Sequence, residues 1–230
     1  MSQIITAIAR KLYMKQSYRY IVFDMDGTLC DSQIGIYKGI SHSLNQMGIP
    51  TEPNATFPHF IGRALQDSFH DYHFQDMDKS WKAVHLFREY YGTKGLFEGT
   101  VYPGIIELLA NLHAQGKRLF VATAKPMEYA RRITQYHQME QYFTDVLGCY
   151  MDGSRADKKE MLQAISKSLG DPDPKEFVMI GDRKYDLLAA TQLNMDSIGV
   201  TYGYGSQEEI IKAAPTHYVP DVTGLANILL

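Results

Sequence analysis

Two aspartates that follow a short apolar run constrain this chain more than any other feature. Residues 20–23 are Tyr, Ile, Val and Phe, and Asp24, Met25, Asp26 and Gly27 come directly after them. Such a run is typical of a buried strand that delivers acids to a loop. Because side chains alternate along extended backbone, we expect both carboxylates on one side and Met25 on the other. They would bind a divalent cation or divide nucleophilic and proton-transfer work, although an aspartate-rich turn fits the stretch equally well.

Composition bounds the class of protein. The 230 residues, 45% apolar and 21% charged, suffice for one α/β domain or for a core with an inserted subdomain. A net charge of −3 gives no electrostatic reason to expect nucleic-acid binding. Cys30 and Cys149 are expected to be free thiols, and no apolar run approaches the roughly 20 residues that span a bilayer. We therefore expect a cytoplasmic monomer or homodimer without nucleic-acid or membrane partners.

Residues 1–17 are predicted to form a short N-terminal helical extension. Apolar side chains recur there at helical spacing beside several basic residues, at Ile4, Ile5, Ile8 and Leu12. The segment lacks the longer apolar core and the small-residue cleavage site of a signal peptide. A helix that lies in a membrane interface is the alternative interpretation.

Residues 34–98 are predicted to form an inserted bundle of helices. Apolar spacing indicates helices at about residues 33–47, 64–72 and 80–91, and no strand pattern stands out between them. The segment is also dense in aromatic side chains, which we interpret as the core of the bundle. These aromatics are Phe57, Phe60, Phe69, Tyr72, Phe74, Trp81, Phe87, Tyr90 and Tyr91.

Strands and helices alternate after this insertion. Strands are predicted at about residues 118–122, 145–149, 177–180 and 197–200, with helices between them. This alternation predicts an α/β fold, a doubly wound parallel sheet with helices on both faces. The predicted division is therefore a core of residues 18–33 and 99–230 that carries a helical cap of residues 34–98.

Candidate functional side chains follow three of the predicted strands. Asp24 and Asp26 follow the first, Thr123 lies just past the second, and Asp182 and Asp186 follow a third. The carboxyl ends of parallel strands meet at one edge, so these groups are expected around one crevice. Four carboxylates would repel one another there without a cation, and Mg²⁺ is the natural candidate because it prefers oxygen ligands.

An anionic substrate also requires a cation, and Lys125, Lys158 and Lys159 are the candidates. Asp157 and Glu160 have the spacing of a helix start, which places Lys158 and Lys159 at the first helical positions. A lysine there opposes the helix dipole by about 0.3 to 1 kcal/mol at an exposed site, so a role beyond folding is indicated. The three lysines remain alternatives at this point.

With these motifs in family order, the chain resembles the haloacid dehalogenase superfamily of phosphatases, in the branch with a helical cap. The motifs are residues 24–28, Thr123, a lysine best matched by Lys158, and Asp182 with Asp186. The branch includes phosphoglycolate phosphatase, 5′-nucleotidases and β-phosphoglucomutase. The resemblance implies hydrolysis of small phosphate monoesters, such as phosphoglycolate or 5′-nucleotides, with Mg²⁺ and an aspartyl-phosphate intermediate.

The resemblance also implies roles for single residues. Asp24 would be the nucleophile, and Asp26 would protonate the leaving alcohol, activate water and offer its carbonyl to Mg²⁺. The catalytic residues would be Asp24, Asp26, Thr123 and Lys158. The substrate-binding residues would be Gly27, Thr28, Ala124 and Arg63. The metal ligands would be Asp24, Asp26, Asp182 and Asp186.

Alternatives remain within this resemblance. Dehalogenases lack the acid at position 26, so Asp26 favours phosphate chemistry. A sugar phosphomutase would use the same residues and return the phosphoryl group to a sugar. A phospho-receiver module would also use an aspartate, Mg²⁺, a hydroxyl and a lysine, but it needs neither a leaving-group acid nor a cap.

Overall fold

A computed structural model describes residues 17–62 and 64–230 of the chain. The predicted N-terminal helix and Arg63 therefore lie outside the described residues. The strands of the described residues are β1 (Tyr20–Phe23), β2 (Cys30–Asp31), β3 (Thr100–Val101), β4 (Arg118–Pro126), β5 (Phe143–Cys149), β6 (Phe177–Gly181), β7 (Asp196–Val200) and β8 (His217–Val219).

Helices of widely different length connect these strands. The α-helices of the described residues are α1 (Gln33–Gln46), α2 (Leu65–Phe69), α3 (Met77–Tyr91), α4 (Ile105–Ala114), α5 (Met127–Tyr136), α6 (Lys158–Ser168), α7 (Lys184–Gln192), α8 (Gln207–Lys212) and α9 (Val222–Leu229). Short 3₁₀ turns occur at Pro58–Phe60, Gly95–Phe97, Glu140–Tyr142 and Pro174–Glu176, and a π-helical turn at His70–Phe74.

Six strands form one parallel sheet in the order β5-β4-β1-β6-β7-β8. Strand β1 lies between β4 and β6 and is buried along its whole length. Its side chains alternate between two apolar clusters, Tyr20 and Val22 in one and Ile21 and Phe23 in the other. A strand that buries both faces reads as a continuous apolar run, which is the pattern of residues 20–23. The predicted doubly wound parallel sheet is confirmed.

The helical insertion also has its predicted character. Helix α1 buries Ile36, Ile40 and Leu44 and packs against α3. The two helices approach closely at Gly39, where an added Cβ would lie 2.8 Å from the ring of Phe87. Strands β2 and β3 pair antiparallel and so hold together the two connections between the insertion and the sheet. The exact limits of residues 18–33, 34–98 and 99–230 stay a prediction.

Local details differ from the sequence predictions. Strand β4 continues to Pro126, so Thr123 lies within it rather than past its end. The helix predicted at residues 64–72 is α2 followed by the π-helical turn. Ser32 directly precedes α1, but its hydroxyl does not cap the helix and donates to Asp26 instead. Cys30 and Cys149 are buried free thiols. Within the described part of the chain, no helix has the length and apolar character needed to cross a bilayer.

Candidate active site

Asp24 and Asp26 lie at the carboxyl edge of the sheet, directly after β1. The Asp24 N–H donates to the Ile180 carbonyl at 2.8 Å, which holds the start of the loop against β6. Met25 is fully buried, whereas the side chains of both aspartates keep partial exposure. Gly27 then turns the chain with φ +82°, and an added Cβ would lie 2.2 Å from Asp182 Oδ2. The turn therefore requires glycine for both its backbone angle and its space.

Asp182 and Asp186 come from the neighbouring strand end and join Asp24 in one cluster. Carboxylate oxygens of the three residues all lie within 4.8 Å of one another. Asp182 is fully buried and accepts the Tyr204 N–H at 2.7 Å and the Thr28 hydroxyl at 3.4 Å. Asp186, almost fully buried in the first turn of α7, accepts the Arg183 N–H at 3.3 Å. The sheet edge thus concentrates negative charge in a largely buried space.

Lys158 is the cation of this cluster. Its Nζ lies 2.9 Å from Asp24 Oδ1 and 2.7 Å from Asp186 Oδ1, and it donates to the Ala122 carbonyl at 2.7 Å. Asp157 caps α6 through the N–H groups of Lys159 and Glu160, so Lys158 is the first residue of the helix. Burial alone would lower the pKa of Lys158, but Asp186 and Asp24 outweigh that effect and raise it. The lysine is therefore charged where it meets the two acids.

Lys125 serves a different acid. Its Nζ lies 2.8 Å from Asp26 Oδ1 and donates to the hydroxyl of Tyr91, which belongs to the helical insertion. The Ser32 hydroxyl donates to the same Asp26 oxygen at 2.5 Å. Lys159, the third candidate, has no ion-pair partner in residues 17–62 and 64–230. The structure thus pairs Lys158 with Asp24 and Asp186, pairs Lys125 with Asp26, and leaves Lys159 without an acid in the described ranges.

A cleft between sheet and insertion runs past these acids. Asp24, Asp26, Thr123, Ala124 and Lys125 line its floor. Thr123 is buried, and its Oγ1 accepts the Lys125 N–H at 3.2 Å. Apolar side chains from the insertion form the opposite wall, chiefly Ile36, Phe60, Leu65, Phe87 and Tyr91.

Two predicted substrate contacts lie elsewhere. Gly27 and Thr28 are buried behind Asp182 and are not among the described residues that line the cleft. The Thr28 hydroxyl contacts Asp182, because the glycine turn directs it there. A contact between Thr28 and substrate therefore stays a prediction, beside the observed contact of its hydroxyl with Asp182. Arg63 lies outside the described residues, and its role stays a prediction.

Three neighbours of the acids were missed in the sequence: Ser32, Tyr91 and Tyr204. Ser32 was not considered for the site, and Tyr91 was interpreted only as bundle core. Tyr204 lies far from Asp182 in the sequence, because the link between them joins two separate strand ends. Of the three, only Ser32 lies close to Asp26 in the sequence, so only its contact could have been inferred from sequence proximity.

The acids are suited to a divalent cation. Burial raises the pKa of Asp182 to about 8, and the charges of Asp24 and Asp186 add to the rise. Burial also raises the pKa of Asp186 to about 6, although Lys158 opposes it. Burial and mutual repulsion disfavour the ionised form of these carboxylates. Three of them together need more positive charge than one lysine supplies. Carboxylate oxygens are the ligands that Mg²⁺ prefers, so the residues fit that ion.

A dependence of stability on pH and Mg²⁺ follows. The pKa of Asp182 rises from its ordinary value of 3.8 to about 8 in the fold, so between these pH values the folded state holds a proton that the unfolded chain has lost. The free energy of unfolding should therefore fall as pH rises through this window without metal. Because Mg²⁺ competes with that proton, we expect it to raise the unfolding temperature more at about pH 8.5 than at about pH 5.

Thermal unfolding with MgCl₂ or with EDTA at both pH values checks this prediction. The Asp182→Asn variant is the control, because it removes the titrating carboxyl and should weaken the difference between the two pH values. Equal stabilisation by Mg²⁺ at both would contradict it.

The molecule has a parallel sheet with an acidic cleft at its carboxyl edge, and the helical insertion covers that cleft. These features are typical of an α/β enzyme with a capped active site. Residues 21–200 match the model of the haloacid dehalogenase-like hydrolases. The chain belongs to this family.

Individual relatives agree with the family. A 5′-nucleotidase of Pseudomonas aeruginosa is 38% identical over 92% of this chain and 96% of its own. A phosphoglycolate phosphatase of Vibrio parahaemolyticus is 29% identical over 94% of this chain and 97% of its own. A solved structure from Clostridium difficile, designated a phosphatase, is 42% identical with a TM-score of 0.86 over 94% of this chain and 100% of its own. The chain is a phosphatase of this hydrolase family.

Proposed function

We propose that this chain is a Mg²⁺-dependent phosphatase that cleaves small phosphate monoesters through a covalent phosphate on Asp24. The observation that carries the proposal is the setting of the Asp24 carboxylate. It lines the cleft, lies 2.9 Å from the Lys158 ammonium and belongs to the acidic cluster with Asp182 and Asp186. Phosphoryl transfer depends mainly on positioning and charge stabilisation, and this arrangement offers both.

The chemistry divides between the two aspartates. A carboxylate oxygen of Asp24 attacks phosphorus, and the bond from phosphorus to the leaving oxygen breaks. Asp26 gives its proton to that oxygen, so the alcohol leaves neutral. Asp26 then takes a proton from the water that hydrolyses the phosphorylated Asp24, which restores both acids. Thr123 and the Ala124 amide bind phosphoryl oxygens, and Lys158 offsets their charge.

Asp24, Asp182 and Asp186 are the side chains that we propose as Mg²⁺ ligands, with the Asp26 carbonyl as a further oxygen. When bound, the ion supplies positive charge that stabilises the transferring phosphoryl group. Thr28 and Tyr204 support this role, because both donate to Asp182 and hold its carboxylate in place.

The cleft favours a small alcohol. Its volume is about 130 Å³ in this position of the insertion, against about 420 Å³ for the adjoining groove. Arg88 lines the same cleft, donates to the Met151 carbonyl at 2.5 Å and has no acidic partner within salt-bridge distance in the described ranges. A carboxylate group on the alcohol part of the substrate would supply an acidic partner for Arg88. A nucleoside would extend into the adjoining groove of about 420 Å³, beside Arg183 and Tyr185.

A substrate panel tests the proposal. Phosphate release should be measured from 2-phosphoglycolate, sugar phosphates, 5′-mononucleotides and pyrophosphate, with MgCl₂ and with EDTA. We expect turnover of at least one small monoester, its loss in EDTA, and its recovery when Mg²⁺ is restored. The cleft volume and Arg88 favour 2-phosphoglycolate over 5′-mononucleotides. The absence of turnover on every ester would contradict the proposal, and phosphoryl transfer to a sugar instead of water would favour the phosphomutase alternative.

A further inference from the structure

Lys125 is a buried lysine to which the proposed reaction gives no role. Its side chain is only 4% exposed, and burial of an ammonium is costly unless strong partners compensate it. Asp26 supplies a carboxylate oxygen at 2.8 Å, and the Tyr91 hydroxyl accepts a hydrogen bond. The ammonium also lies 4.9 Å from the centroid of the Tyr91 ring, within the range of a cation–π contact. The lysine is thus held by one acid and one aromatic residue.

These two partners come from different parts of the fold. Asp26 follows β1 in the sheet, whereas Tyr91 is the last residue of α3 in the helical insertion. The Tyr91 ring is 2% exposed and contacts the rings of Phe87 and Tyr129, so its position is fixed from both sides. Lys125 therefore connects the acid to the insertion. This connection exists only when the insertion lies over the sheet as it does here.

The contacts on Asp26 are unevenly distributed between its oxygens. Lys125 and the Ser32 hydroxyl both meet Oδ1. No hydrogen bond to Oδ2 is found in the part of the chain that the structure describes. Two contacts to one oxygen fix the rotation of the carboxyl group. The second oxygen is then left for a substrate in the cleft that Asp26 lines.

We propose that Lys125, held by Tyr91, is a positioning residue that orients the Asp26 carboxyl group toward the leaving oxygen of the substrate when the insertion covers the cleft. The inference rests on the proposed function, because it assigns the work of protonating the alcohol to Asp26. It also assigns Tyr91 a part in catalysis although the tyrosine touches no reacting atom.

Leaving groups of different basicity provide the test. An alkoxide needs a proton as the phosphorus–oxygen bond breaks, whereas 4-nitrophenolate is a stable anion that leaves without one. The value of kcat/KM covers only the steps up to loss of the alcohol, so the later hydrolysis of phosphorylated Asp24 does not enter it. A residue that positions the acid should therefore matter for an alkyl ester and not for an aryl ester.

The experiment compares Lys125→Met and Tyr91→Phe with the wild type on 4-nitrophenyl phosphate and on the best alkyl ester of the panel. For Lys125→Met we expect kcat/KM to fall about 100-fold on the alkyl ester, the lower range of general acid catalysis, and less than about threefold on the aryl ester. For Tyr91→Phe, which keeps the ring, we expect the same selectivity with a loss of about 3- to 10-fold, the value of one hydrogen bond.

Tyr90→Phe is the matched control, because the Tyr90 hydroxyl bonds to Glu98 and lies on the same helix. This variant should leave kcat/KM unchanged on both esters. If Lys125→Met does not fold, Tyr91→Phe decides the question alone. Equal losses on both esters would overturn the inference and indicate a phosphoryl-binding lysine, since both esters carry the same phosphoryl group. Unchanged values on both would overturn it as well. A wild type inactive on every ester would instead contradict the proposed function.

Discussion

Replacement of Asp24 by Asn should abolish turnover while leaving the fold intact. An amide is a poor nucleophile, so no covalent phosphate should form, and we expect a loss on the order of 10⁵-fold, comparable to removal of a nucleophile in other enzymes. Phosphate release measures the loss, and mass spectrometry of acid-quenched enzyme tests for the phosphorylated form. The fold should survive, because Asn has nearly the same size and removes one of three mutually repelling carboxylates.

Asp145→Asn is the control for this variant. Asp145 is exposed and pairs with Arg131 on the surface, so its loss should change turnover by less than about twofold. Substantial activity in Asp24→Asn, with wild-type circular dichroism, would remove Asp24 as the nucleophile.

Replacement of Lys158 by Met should impair both activity and stability. The lysine side chain is 8% exposed and meets two acids, and removal of one partner from a buried ion pair costs about 3 to 5 kcal/mol. We expect turnover to fall by about 10³-fold, since loss of one electrostatic stabiliser of a transition state costs about 10²- to 10³-fold and Lys158 also holds the nucleophile. Urea unfolding and phosphate release measure the two effects.

Lys159→Met is the matched comparison, because it removes the same charge one residue further along α6. We expect its loss of turnover to stay below about threefold, as for other substitutions outside buried networks. A larger loss in Lys159→Met than in Lys158→Met would show that the neighbouring lysine serves the phosphoryl group. A Lys158→Met variant with wild-type turnover would contradict the role of Lys158 directly.

The acids were accessible from the sequence because their signals are local. Side-chain alternation predicted that Asp24 and Asp26 lie on one side of the extended chain and Met25 on the other. The complete burial of Met25 agrees with this prediction. The position of Asp182 after a buried run placed it at the same edge, since parallel strands align their carboxyl ends. Whether these residues act as proposed is a separate matter, which the variants above address.

The sequence did not show which lysine contacts which acid. The residues alone left Lys125, Lys158 and Lys159 as alternatives, and only the resemblance favoured Lys158. Only the packing of α6 against the sheet brings Lys158 to Asp24, and only the placement of α3 over the sheet brings Tyr91 to Lys125. The contact of the Thr28 hydroxyl with Asp182 likewise depends on the turn at Gly27 and was not predicted from the sequence.

The sequence by itself determined the parallel α/β fold, the helical insertion and the identity of the acids at the sheet edge. Those properties depend on side-chain periodicity over a few residues and on the alignment of parallel strands. The tertiary structure alone decided which cation meets which acid, which oxygen of Asp26 is anchored, and how little room the cleft leaves. These depend on distances between residues far apart in the chain, and such distances are set by the packing of whole elements.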